Sequence, residues 1–158
     1  KFGDSFQTKK VDEAPETRAP DHIKVTVVHQ ISEGFFTAQF LSGVRIATAE
    51  LGIELVVSDS QGQVTKMIGQ LGEAIQTNST AIIINHGFSV ELSPVIELAL
   101  ERGIKVIAFD FGIQNPDVTE IEQDDFMLSL KLCRELAKDH SGSANVFYFK
   151  NKQGFAPL

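Results

Sequence analysis

Residues 81–112 read AIIINHGFSVELSPVIELALERGIKVIAFDFG, and this stretch decides the fold. Ala81–Asn85 and Lys105–Phe109 are short apolar runs rich in β-branched residues. Between them, from about Val90 to Arg102, apolar residues recur at helical spacing. Pro94 is tolerable only near the first turn of that helix, and Gly103 is its stop signal. A strand, a helix and a strand in this order make a βαβ unit. The near-continuous hydrophobicity of both strands fits a parallel sheet covered on its two faces.

The same rhythm extends upstream. Lys24–Val28 and Glu54–Val57 read as strands. Phe36, Phe40, Val44, Ala47 and Leu51 repeat at helical spacing between them, and Gly52 ends that helix. A further helix carries Val64, Ile68, Leu71 and Ile75 on one face. The stretch from Lys24 to Asp110 is therefore predicted to form an α/β, Rossmann-like parallel sheet in the strand order 2-1-3-4. Downstream, residues 111–124 contain Gly112, Asn115 and Pro116 and no helical pattern, which breaks the rhythm and marks the edge of a first lobe. A helix over about Asp125 to Asp139, closed by Ser141-Gly142-Ser143, and a strand at Asn145–Phe149 follow. Residues 1–22 are polar, hold Pro15 and Pro20, and read as a leader or linker. The expected division is 1–22 linker, 23–123 first lobe with a crossover, and 124–158 the start of a second lobe.

Composition narrows the function classes. The chain has 158 residues, 42% of them apolar and 22% charged, and a net charge of -7. That acidity argues against a nucleic-acid partner, which demands clustered Lys and Arg. No apolar run approaches the roughly 20 residues of a membrane span. The one cysteine, Cys133, rules out an intrachain disulfide and a Cys-rich metal site, and its apolar neighbours predict a buried thiol. No Gly-x-Gly-x-x-Gly, phosphate-binding loop or Gly-x-Ser-x-Gly elbow is present, so binding is favoured over catalysis. No cofactor and no metal are expected.

In an open parallel sheet, ligands bind beyond the carboxyl ends of the strands. Those ends carry Glu33, Phe35 and Phe36, then Asp59 and Ser60, then Asn85 and His86, then Asp110 and Phe111. Carboxylates that accept from vicinal hydroxyls, an amide that donates and accepts, and aromatic faces for C–H edges together suit a polyhydroxylated solute. Each residue also has a structural reading. Phe35 and Phe36 can start a helix as core residues, Asp59 and Ser60 are expected to cap the second helix, and Asn85 and Asp110 can brace turns. His29 and His86 are too isolated to suggest a metal site.

From Lys24 to Leu158 the chain resembles the amino-terminal half of the ribose-type (type I) periplasmic sugar-binding proteins that serve ABC importers. The resemblance runs through Gly34-Phe35-Phe36, Leu55-Val56-Val57-Ser58-Asp59-Ser60-Gln61, Ile82-Ile83-Ile84-Asn85, Gly103-Ile104-Lys105-Val106-Ile107-Ala108-Phe109-Asp110 and Gln123-Asp124-Asp125. It implies two Rossmann-like lobes that close on a solute, with the chain apparently truncated before the return crossovers. It further implies solute contacts from Glu33, Phe35, Phe36, Asn85, Asp110 and Phe111, and a hinge at Gln123 and Asp124. A periplasmic or extracytoplasmic location, a sugar-like solute and a membrane permease as partner follow from the same resemblance. Glu33 stands where Asn is common, Phe111 where ribose binders carry Arg, and His86 where Pro is common; these departures count against ribose itself and leave a less polar sugar, a deoxysugar, a sugar alcohol or another small metabolite open. The effector core of a lactose-repressor-type regulator and the sensor module of a receptor kinase share this architecture.

Overall fold

The computed structural model describes residues 22–140 and 145–147. In chain order the elements are β1 (Lys24–His29), α1 (Phe35–Glu50), β2 (Glu54–Asp59), α2 (Val64–Gln76), β3 (Ala81–Asn85), α3 (Ser89–Glu101), β4 (Lys105–Phe109), β5 (Thr119–Ile121) and α4 (Asp125–Asp139). The strands form one parallel sheet in the order β2-β1-β3-β4-β5. The expected 2-1-3-4 arrangement is present, and β5 adds a fifth strand inside the segment read as a helix-free link. Of the polar linker only His22 is described, with Nε2 2.7 Å from Glu54 Oε2.

The core lies between the sheet and the pair α2 and α3. Val28, Ile82, Ile84, Val106 and Ala108 point from the strands to Met67, Leu71, Ile75, Leu92, Ile96 and Ala99. Burial of these side chains is the main stabilising term, at about 1.5–3 kcal/mol for each large one. On α2 the buried stripe is Met67, Leu71, Ala74 and Ile75, while Ile68 is exposed. Of the predicted face, Leu71 and Ile75 are buried and Val64 packs against the core, and Met67 takes the place expected of Ile68.

The opposite face of the sheet is covered less. There α1 lies beside β2, and only Thr37 and Thr48 of the helix are buried. Phe36, Ala47 and Leu51, expected on its packed face, are exposed. Over β3 and β4 on this side, Ile83 and Ile107 remain half-buried.

Helix α4 matches its predicted bounds but has no buried residue. Cys133 on it is exposed, contrary to the expectation of a buried thiol, as are the apolar residues Phe126, Leu128 and Leu132 of the same helix. Asn145, Val146 and Phe147 are exposed and not in a strand, and the rest of the strand expected at Asn145–Phe149, like Ser141-Gly142-Ser143, lies outside the described residues. No described helix is long and apolar enough to cross a membrane.

Candidate functional site

The parallel register sets one transverse row at the carboxyl edge: Asp59, His29, Asn85, Phe109 and Ile121, taken from β2 across to β5. Side chains in such a row share one face, here the face of α1. The ladder continues one residue further. Ser60, Gln30, His86 and Asp110 donate their backbone N–H groups to the carbonyls of His29, Asn85, Phe109 and Ile121. Alternation should send all four of those side chains to the α2 and α3 side. Gln30 and Ser60 obey and are buried, with Ser60 Oγ donating to Gln70 Oε1 at 2.7 Å. His86 and Asp110 do not, because both adopt left-handed backbone, at φ 58° and 50°. His and Asp tolerate that region better than most residues, and a left-handed step swings the side chain back over the rim.

The result is a polar chain over the row. Asn85 Nδ2 lies 2.9 Å from His29 Nδ1, and Asn85 Oδ1 lies 2.6 Å from His86 Nδ1. His86 Nε2 is in turn 3.3 Å from Asp110 Oδ2. Asn85 is only 1% exposed, so both ends of its amide are spent on the two rings.

His29 is fully buried, and its Nε2 has no partner. Burial pushes its pKa below the ordinary 6.5, helped by His86 and Arg45 and opposed by the charge of Asp59. Because the folded protein holds this ring neutral more strongly than the unfolded chain does, the unfolded chain binds more protons below pH 6.5. The stability owed to neutral His29 is complete above that value. It falls with decreasing pH, by at most about 1.4 kcal/mol per unit, until the folded pKa is passed. Urea denaturation at stepped pH should show this loss, and His29→Gln should flatten it. An unchanged acid slope in that variant would remove His29 as its source.

The aromatic side of the rim is built by α1 and β4. Phe36 stacks on Phe109 with ring centres 5.9 Å apart and meets His86 edge-on at 5.5 Å. Phe40 closes the cluster from below, 4.8 Å from Phe109 and 5.9 Å from His29. Phe36 keeps 51% of its surface exposed and Phe35 keeps 79%. These are large apolar faces left open beside polar groups, the combination that marks a ligand surface. Glu33, also exposed, sits in the loop just before them.

That loop is clamped by Asp59. Its carboxylate accepts from Ser32 N at 3.2 Å, Ser32 Oγ at 2.6 Å and Gln61 N at 2.9 Å. Burial works against the charged form, but these donors and the nearby Lys66 outweigh it and hold Asp59 below its ordinary 3.8. Asp59 and Ser60 therefore do not cap α2, whose N-cap is Gln63. Their side chains fix the β1–α1 loop and Gln70 instead.

On the β5 side, Glu120 Oε1 accepts from Ile113 N at 2.9 Å. Glu122 has its pKa raised, first by a hydrogen bond with Glu120, then by burial and by the charges of Glu120 and Asp110. Gln123 and Asp124 are exposed, and Asp124 caps α4 by accepting from Met127 N at 2.8 Å. Phe111 is the residue that the structure takes away from the rim. It is 2% exposed and packs in the core against the edge of Gly87 and Leu92. The left-handed step at Asp110 puts the carboxylate on the rim and the following ring beneath it.

The structure thus gathers Phe36, Asn85 and Asp110 at one edge, with Phe35 and Glu33 flanking, and adds His86, Phe109 and Asp59. Among the described residues no group of His, Cys, Asp and Glu could hold a metal ion. A hollow of about 550 Å³ bordered by Glu97, Glu101, Lys105 and Asp117 lies at the opposite, amino edge of β4 and has no aromatic wall.

Residues 25–157 match the periplasmic binding protein domain. Among solved structures, the chain is 34% identical to the 5-methylthioribose transporter solute-binding protein of Thermotoga lettingae, seen with 5-methylthioribose, at a TM-score of 0.75. That match covers 79% of this chain and 40% of that one. A sugar ABC transporter protein of Yersinia enterocolitica is 29% identical at a TM-score of 0.72, over 79% of this chain and 38% of its own. A Rhodobacter sphaeroides ABC sugar transporter subunit, 16% identical, shares the fold at a TM-score of 0.72, over 82% and 46% of the two chains. The chain therefore spans about 40% of the length of the first of these relatives. No curated protein matches it.

Proposed function

This chain belongs to the periplasmic binding protein domain family, a family of solute-binding proteins rather than enzymes, and on that premise we propose that it forms one wall of a cleft that captures a small polyhydroxylated solute, most simply a pentose or pentose derivative, for an ABC importer. The observation that carries this reading is the pairing of Asp110 with the open faces of Phe35 and Phe36 at the carboxyl edge. A carboxylate holds hydroxyls in fixed directions, and the aromatic faces take up the C–H side of the same molecule. The 34% identity to a protein seen with 5-methylthioribose supports a furanose carrying an apolar substituent.

In this reading residues 23–123 are the first lobe and its crossover, Gln123 and Asp124 are the hinge, and residues 124–158 open the second lobe. The unpacked apolar side of α4, with Phe126, Leu128 and Leu132 exposed, supports that division. So does the capped start of α4 directly after β5. The solute is then trapped between lobes by hinge closure, outside the cytoplasm, and passed to a membrane permease.

Calorimetric titration of the protein as its gene encodes it, with 5-methylthioribose, D-ribose, L-arabinose and allitol, tests the proposal. Micromolar binding of at least one is expected, and binding of none would overturn the reading. Asp110→Ala should weaken the bound sugar by about 1–3 kcal/mol, the scale for hydrogen bonds to a charged group. Unchanged affinity with an intact fold would remove Asp110 from the site.

A further inference from the structure

The segment that brings Phe35 and Phe36 to the rim is held from outside its own helix. Gly34 stands at the N-cap of α1 with φ 106°, backbone that favours glycine, and no side chain caps the helix there. The buried residues of α1 are Thr37 and Thr48, while Phe35 and Phe36 are exposed. Core packing of the kind that fixes α2 therefore does not set the position of this first turn. A Cβ at Gly34 would meet nothing within 4 Å, so the link between Ser32 and Phe35 has open space beside it.

Fixed contacts come instead from the turn after β2. Ser60 N–H donates to His29 O at 2.9 Å, and Gly62 N–H donates to Gln30 O at 2.7 Å. The second bond is within reach because Gln61 and Gly62 are both left-handed, at φ 53° and 73°, which folds the turn back over the end of β1. Beyond Gln30 the Asp59 carboxylate takes over. Its Oδ1 accepts from Ser32 N at 3.2 Å and from Gln61 N at 2.9 Å, and its Oδ2 accepts from Ser32 Oγ at 2.6 Å. Hydrogen bonds to an ionised acceptor are roughly twice as strong as neutral ones. Asp59 is itself fixed as the last residue of β2, in register with His29. Two residues separate Ser32 from Phe35, so a displacement of Ser32 passes directly to the rings.

We propose that Asp59 is a positioning residue for solute capture: without touching the solute, it clamps Ser32 and so holds the β1–α1 loop, with Phe35 and Phe36, in the arrangement that faces Asp110 at the rim. A loop fixed before the solute arrives spares the cost of ordering it on binding. A loop that visits this arrangement only part of the time lowers the affinity by that fraction. Asp59 and Ser32 thereby govern affinity while contributing no contact of their own. This inference rests on the solute-binding reading of the rim given above.

The test uses the protein as its gene encodes it, titrated with 5-methylthioribose, D-ribose, L-arabinose and allitol, together with amide hydrogen exchange of the unliganded protein. Asp59→Ala should raise exchange at Ser32 and Gln61 about tenfold or more, leaving the sheet amides of Val27 and Ile83 unchanged. It should weaken binding of whichever solute the unaltered protein takes by about tenfold to a hundredfold. Asp59→Asn keeps an oxygen for Ser32 N and Gln61 N, and its amide can donate to Ser32 Oγ, so affinity should return to within about threefold of the unaltered protein. That rescue separates positioning from a charge felt by the solute, and an asparagine variant as weak as the alanine one would overturn the proposal. Ser32→Ala leaves the bond from Gln61 N to Asp59 in place and should also weaken binding, which keeps the proposal testable if Asp59→Ala fails to fold. Added to Asp59→Ala it should cost less than about a further twofold, because both changes break one clamp. Exchange at Ser32 unchanged in Asp59→Ala, or affinity within about twofold of the unaltered protein, would overturn the inference alone. Failure of the unaltered protein to bind any of the four solutes would overturn the proposed function and this inference with it.

Discussion

Phe111→Ala should destabilise the protein by about 3–5 kcal/mol, the range for deleting a buried aromatic ring. The ring is 2% exposed and belongs to the same buried cluster as Leu92, Ile113 and Val118. It sits where the loop from β4 to β5 must be pinned to the core, and alanine would leave a cavity that the short loop is poorly able to collapse. The solute affinity of the folded fraction should stay within a few-fold, because the groups above it, Asp110 and His86, keep their own anchors. Family position alone assigns Phe111 to the solute, which predicts the reverse, with affinity lost and stability kept. Urea denaturation paired with sugar titration separates the two. A stability loss under about 1 kcal/mol would refute the core assignment.

The one-residue difference between Asp110 and Phe111 shows where sequence reading stops. β1, β3 and β4 were legible because central parallel strands are near-continuously apolar, which leaves runs such as Ala81–Asn85 with little ambiguity even where the α1 face over Ile83 and Ile107 is only half covered. β5 was not. Thr119–Ile121 is three residues long with one carboxylate in the middle, and it is a strand only because the edge of β4 offers it a register. Whether Asp110 or Phe111 faces the rim depends on a left-handed φ that neither residue type announces. The same is true of His86. The bond that holds its neighbour Asn85 to His29 joins positions 29 and 85 through the sheet and is invisible along the chain.

Asp59 failed differently. A carboxylate a few residues before a helix-like pattern reads as a cap, whereas the actual acceptor geometry serves Ser32 across 27 positions of sequence. Thr37 and Thr48 on α1 and the thiol of Cys133 on α4 mark the remaining limit. Periodicity reveals that a helix has an apolar face, but it does not reveal whether the partner of that face lies in the same stretch of chain.

Gly87→Ala should cost about 1–3 kcal/mol, toward the upper end. A Cβ at this position would lie 2.5 Å from Phe111 Cε2, 3.0 Å from Leu92 Cδ1 and 3.1 Å from Phe111 Cδ2. The nearest atom belongs to a rigid buried ring, not to the free end of a flexible chain, so the strain must move either the ring or the backbone. Gly87 does not adopt left-handed backbone, so the cost comes from packing. A double-mutant cycle with Phe111→Ala isolates it. Once the ring is gone the methyl meets mainly Leu92, and the added cost of Gly87→Ala should drop by at least about 1 kcal/mol, within the coupling range for residues in contact. Thermal or urea unfolding of the four proteins gives the coupling directly, and strict additivity would exclude the ring as the reason glycine is needed. The same substitution carries a second signature, because Gly87 follows the left-handed His86 and precedes α3. Backbone displaced by the clash turns His86 away from Asp110, so Gly87→Ala should weaken sugar binding as well as stability, whereas Phe111→Ala should affect stability far more than binding.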